Sequence, residues 1–183
     1  LLYQVGLGFT PVQSGLLIMP QALAAMTSKS VIGQILARLG YRTFLISNTF
    51  IIGLLLCLFA GIGLRTPVWA IVVLAFCYGA FTSMQYTSLN TLVYADVSDE
   101  DASNASSIAS TVQQLSISFG VAAAGLATAL FTPDQFRSNP SEMIHGTHLA
   151  LFVLGGLTIL STLVFHRLRP GDGSKVSRQK VVH

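Results

Sequence analysis

Two adjacent glutamines, Gln113 and Gln114, stand near the middle of residues 102–133, a stretch without a single charged side chain. On a helix they lie about 100° apart and so occupy different faces. Steps of three and four from Gln114 collect Ser103, Ser107, Ser110, Ser118 and Gly125, a polar and small-residue stripe. The opposite stripe is Ile108, Val112, Leu115, Phe119, Leu126 and Leu130, the side that lipid or an outer helix would contact. This pattern predicts that Gln114, with Ser110 and Ser118, faces a water-accessible cavity. Gln113 falls with Ser106, Gly120 and Ala124, where small residues favour a helix contact. Hydrogen-bonded glue between helices accounts for both glutamines equally well.

A second polar run, TSMQYTSLNT at residues 82–91, follows the plain hydrocarbon of AIVVLAF. Helical stepping joins Ala75, Gly79, Ser83, Tyr86 and Asn90. Tyr86 and Asn90 are expected to present an aromatic wall and an amide to a bound molecule, with Gln85 at the edge. Gln21 and Met26, further upstream, complete the expected substrate-cavity set. Lys29 is the one charge at appreciable membrane depth, nine residues before Arg38 and so about 13 Å from that end of its helix. Burying an ammonium there costs a few kcal/mol unless it snorkels, pairs or meets water. It is therefore either a snorkelling side chain or a charge in a pathway.

Other chemistry-bearing residues have plainer explanations. Asp96, Asp99, Glu100 and Asp101 stand where a helix begins, and SDED (98–101) is a capping sequence with acids at the positive end of the helix dipole. His145 and His148 are three apart, without a Cys, Asp or Glu to complete a metal set. No zinc-protease motif, nucleophile elbow or phosphate-cradling glycine loop occurs. The sequence points to no enzyme, catalytic residue, cofactor or metal.

The elements that must carry these side chains follow from charge. The 183 residues are 52% hydrophobic and 9% charged, against roughly a quarter charged in soluble domains. Charge-free gaps recur along the chain, each long enough or nearly so to cross about 30 Å of hydrocarbon. They predict an all-α polytopic membrane protein embedded in a lipid bilayer, with five helices at about 12–36, 43–64, 68–94, 102–131 and 147–165. The first, third and fourth carry hydrogen-bonding groups at depth, whereas the second and fifth read as apolar. Three helices bordering a cavity and two forming an outer layer is the simplest arrangement.

Topology explains the net charge of +3 without nucleic acid as a partner. With five alternating helices, one side receives Arg38, Arg42, Arg167, Arg169, Lys175, Arg178 and Lys180, and the other only Arg65 and Arg137. The first side is then cytoplasmic, and the basic tail at 170–183 lies there. Cys57 and Cys77 fall in different helices and suggest neither a disulfide framework nor a metal site. The odd helix count and the initial Leu1 are expected of part of a longer protein.

The turn GQILARLGYR, residues 33–42, resembles the second-half copy of the signature loop of the major facilitator superfamily, of the form G-x-L-x-D-R-x-G-R-R. Gly33, Arg38, Gly40 and Arg42 match it, while Ala37 and Tyr41 replace an acidic and a basic residue. Residues 15–42 and 89–126 resemble the fourteen-helix drug:proton antiporters of the EmrB/QacA type, the MdtD-like members most closely. The similarity covers nearly the whole chain and is weakest after Pro170.

The resemblance implies the last five helices of a transporter and most of one six-helix bundle. It implies alternating access against an N-terminal half, export of a small-molecule substrate driven by protons, and a bacterial inner membrane. No carboxylate stands at depth in this stretch, so the proton carrier is expected in the N-terminal part. A non-transporting membrane scaffold, its Gln114 stripe buried and dry, is the competing expectation.

Overall fold

The computed structural model describes residues 10–63, 66–95, 97–98, 100–131 and 140–169. Arg65, Asp96, Asp99, Arg137 and the basic tail from Pro170 onward lie outside the described residues, as does the opening segment through Phe9. Four helices follow in order: α1 (Pro11–Phe59), α2 (Val68–Val93), α3 (Ala102–Phe131) and α4 (Pro140–Phe165). All four are long and apolar enough to cross a membrane. The third and fourth of the expected helices agree with α2 and α3 to within a residue.

The first two expected helices form a single element, α1, whose only non-helical residue is Gly40 at φ 73°, ψ 161°. The two expected helices thus meet at Gly40 without a longer loop between them, and the second ends at Phe59 rather than residue 64. A straight α1 of 49 residues would run about 74 Å, more than twice a bilayer core. It does not run straight. Leu17 of its first arm (11–39) shares a packed cluster with Ile62, Ile71 and Phe59, the last of these at the far end of its second arm (41–59). The chain therefore reverses at Gly40, where a backbone region essentially closed to other residues is open to glycine.

Contacts with α2 give the directions. Gly79 lies against Gln21, and Ser83 donates a hydrogen bond to the Ala25 carbonyl at 3.0 Å, so the first arm runs parallel to α2. Phe59 meets Tyr78 edge to face at 5.7 Å, Asn48 reaches Gln85, and Tyr41 bonds Thr91, so the second arm runs antiparallel. Four helices thus make five alternating passes.

Packing concentrates at the two ends. Tyr41, Ile32, Leu36, Phe44 and Leu45 form a cluster closed by Met84, Leu92, Phe165 and Leu168 at the Gly40 end. At the other end, His148 Nε2 of α4 lies 2.6 Å from the Ile62 carbonyl oxygen, a structural role for a residue read as a stray histidine. Arg38, Arg42, Arg167 and Arg169 all fall at the Gly40 end, as the charge pattern predicted. Much of the apolar surface faces outward, as in Trp69, Phe119 and Leu163, which is the surface a bilayer covers rather than water.

Helix starts follow ordinary capping chemistry. Thr10 and Gln13 form a reciprocal capping box ahead of Pro11 at the first helical position. Ser98 Oγ donates to Asp101 Oδ2 at 2.9 Å and also accepts from the Asp101 amide, before α3. The capping role read from SDED is thereby carried by its first and last residues. Pro20 sits inside α1, where its missing N–H frees a carbonyl.

Candidate functional site

The first arm of α1 and α2 flank an open cavity of about 770 Å³. Its walls carry Gln21, Tyr86 and Asn90, three of the residues that the sequence pattern assigned to a substrate cavity, together with Lys29, read as either a snorkelling side chain or a charge in a pathway. Thr82, Ser83, Thr87 and Thr91 add hydroxyls, and Ile18, Ala22 and Ala25 supply the apolar part. The floor is tight because a Cβ on Gly79 would stand 2.5 Å from the Gln21 carbonyl oxygen. Backbone meets backbone there, and only glycine leaves room.

A second cavity of about 530 Å³ lies between α2 and α3. Tyr86 and Asn90 line it as well, so the two cavities share a wall. Its remaining lining is mostly apolar, with Leu89, Val93, Ile108 and Val112, plus Gln113 and Ser116. Ile108 and Val112, expected on the side of α3 that lipid or an outer helix contacts, border this cavity and are both largely exposed. Gln113, expected at or near a helix contact, borders this cavity and is half-buried.

Gln114, Ser110 and Ser118 are exposed and line neither cavity. The two serines donate to the carbonyls of Ser106 and Gln114 four residues back, at 2.8 and 2.9 Å. Such back-bonding satisfies a hydroxyl without any partner helix. Met26 is likewise exposed and outside the first cavity's lining.

Gln85 belongs to a different site. Its Oε1 accepts from Asn48 Nδ2 at 2.8 Å and its Nε2 donates to Thr49 Oγ1 at 2.8 Å. Asn48 Nδ2 also donates to the Phe81 carbonyl at 2.9 Å. Gln85 therefore fastens α2 to the second arm of α1 instead of edging the cavity. Asn48 and Thr49, both buried, were missed because the second arm read as plain hydrocarbon. A lone Asn-Thr pair in an apolar run hardly alters mean hydropathy, yet at depth an amide demands a partner. By holding one face of α2 against the second arm, this network leaves Tyr86 and Asn90 on the cavity side.

Of the signature-loop residues, Gly40 makes the reversal, Arg38 is exposed and Arg42 half-buried, and a Cβ at Gly33 would meet open space. Tyr41, standing where the signature has a basic residue, is buried among apolar side chains and hydrogen-bonded to Thr91. The turn is thereby tied to the helix that forms the cavity wall.

A family model described as Major Facilitator Superfamily matches residues 1–182. The chain belongs to the major facilitator superfamily. Its relatives within that superfamily include proteins carrying the provisional name multidrug resistance protein MdtD. The protein of Cronobacter sakazakii is 36% identical over 181 residues, which is 97% of this chain and 38% of that protein. Those of Pectobacterium carotovorum and Citrobacter koseri are each 34% identical, over 97% of this chain and 38% of their own length. The chain thus spans about two-fifths of the curated relatives it matches. No solved structure matches it. Superfamily membership agrees with the all-helical, multi-pass architecture and with the resemblance carried by the turn at Gly40.

Proposed function

We propose that this chain is the C-terminal part of a secondary transporter that exports small amphipathic molecules by alternating access, driven by proton entry. The observation that carries the reading is the cavity between the first arm of α1 and α2, where Gln21, Lys29, Tyr86 and Asn90 meet. Amides, a phenol and an ammonium group inside an otherwise apolar helical assembly suit a ligand with polar and apolar parts. The names of the relatives, multidrug resistance proteins, support a drug-like substrate. In this reading residues 1–169 are most of one six-helix bundle, and an N-terminal half supplies the opposite wall and the titratable proton carrier. The arginines at the Gly40 end support a reading in which that end, and the tail at 170–183, lie in the cytoplasm of a bacterium whose inner membrane holds the protein.

The test is ethidium efflux from cells expressing the full-length transporter, with and without an uncoupler. Uncoupler-sensitive efflux above that of vector-bearing cells is expected. Absence of any transported compound across a panel of dyes and drugs would overturn the proposal.

A further inference from the structure

We infer that the two cavities together take an amphiphile bearing a negative charge, its anionic head at Lys29 and its apolar body between α2 and α3. This rests on the export reading and adds to it the class of molecule.

Lys29 is the only charged side chain lining the first cavity among the described residues. The wall carries no carboxylate to neutralise it. Thr82, on the same wall, has a buried Oγ1 without a hydrogen-bond partner. A buried hydroxyl left unpaired is costly, and a carboxylate or phosphate oxygen is an acceptor that an ammonium and a hydroxyl donor both lack here. Each cavity alone falls within the usual volume range for small-molecule sites. Tyr86 and Asn90 border both, so the two cavities lie side by side. Beyond them the surface turns apolar, through Leu89, Val93, Ile108 and Val112. Charge at one end and hydrocarbon at the other are the complement of an anionic amphiphile.

The experiment uses full-length transporter purified in detergent without anionic lipid. Its probes are a dansyl-tagged fatty carboxylate and the matched dansyl-tagged alkyl trimethylammonium. Wild type should bind the carboxylate about tenfold more tightly, since a charge-assisted hydrogen bond is worth on the order of that factor. Lys29→Gln should abolish the preference and Lys29→Arg should keep it. Equal binding of the two probes by wild type, a measurement that requires no variant to fold, would overturn the inference. So would a preference that survives Lys29→Gln.

Two sources of the same chemistry are separated by adding phosphatidylglycerol. Displacement of the carboxylate identifies a lipid headgroup as the occupant, and its retention identifies a free amphiphile. Export measurements keep the two proposals apart. Lys29-dependent binding without export of any compound removes the exporter reading and leaves the site. Export accompanied by charge-blind binding removes the site and leaves the exporter.

Discussion

Gly53 and Gly155 stand back to back where the second arm of α1 crosses α4. A Cβ built on either one would lie 2.9 Å from the carbonyl oxygen of the other. The Gly155 position is further closed by Cys57 Sγ at 2.7 Å, and the Gly53 position by an Ile159 side-chain carbon at 2.5 Å. Backbone atoms cannot swing aside as a side chain can, so relief requires the helices to move apart. Gly156, its immediate neighbour, faces open space.

Gly155→Ala should therefore destabilise the full-length protein by about 1–3 kcal/mol, and Gly156→Ala should leave stability nearly unchanged. Thermal unfolding in detergent measures both. Equal melting temperatures for the two variants would show that the crossing is not as close as the structure has it.

Gly40 and Gly33 separate along the same logic, although both match the signature loop. Gly40→Ala forces a side chain into a backbone region that glycine alone occupies freely, at a cost of about 1–3 kcal/mol. Gly33→Ala meets nothing within 4 Å and should cost no stability in the isolated bundle. A transport defect in Gly33→Ala with normal folding would then report contact with the other half of the protein.

The Asn48–Gln85 pair predicts non-additivity. Either residue replaced by Leu strands a buried amide and should cost about 0.6–2 kcal/mol, whereas the double replacement should cost less than the sum. A double-mutant cycle of melting temperatures would detect the coupling. Additive losses would mean that the two amides act independently.

Gln114 tests the faces of α3. In a full-length background with Cys57 and Cys77 replaced by alanine, a cysteine at 114 should react with a membrane-impermeant maleimide, and one at Leu115 should not. Labelling at neither position would mean that the stripe through Gln114 is dry and packed.

How much of this was legible can be argued residue by residue. The passes were readable because charge-free length is a coarse, additive signal, and the tight turn at Gly40 came from a short motif. Side-chain direction was harder. Gln85 and Tyr86 are neighbours about 100° apart, and stepping rules say that they diverge without saying which one meets which neighbour. Asn48 decides it, since its amide captures Gln85 and so leaves Tyr86 to the cavity. For α3, the larger contact is with α4 and the contact with α2 is slight. Its polar stripe therefore remained open to either assignment, and Val112, though exposed, also borders the second cavity.

The hydrogen bond from Asn48 to Gln85 also has a schedule. The two residues are 37 positions apart in the chain, so at a synthesis rate of about 5–20 residues per second Asn48 exists for roughly 2–7 s before its partner has been made. During that interval the amide sits in a newborn span whose Leu and Ile residues favour insertion, with no lasting mate. The hairpin at Gly40 must therefore enter the bilayer on hydrophobicity alone, and the arrival of α2 is the event that makes its seating permanent.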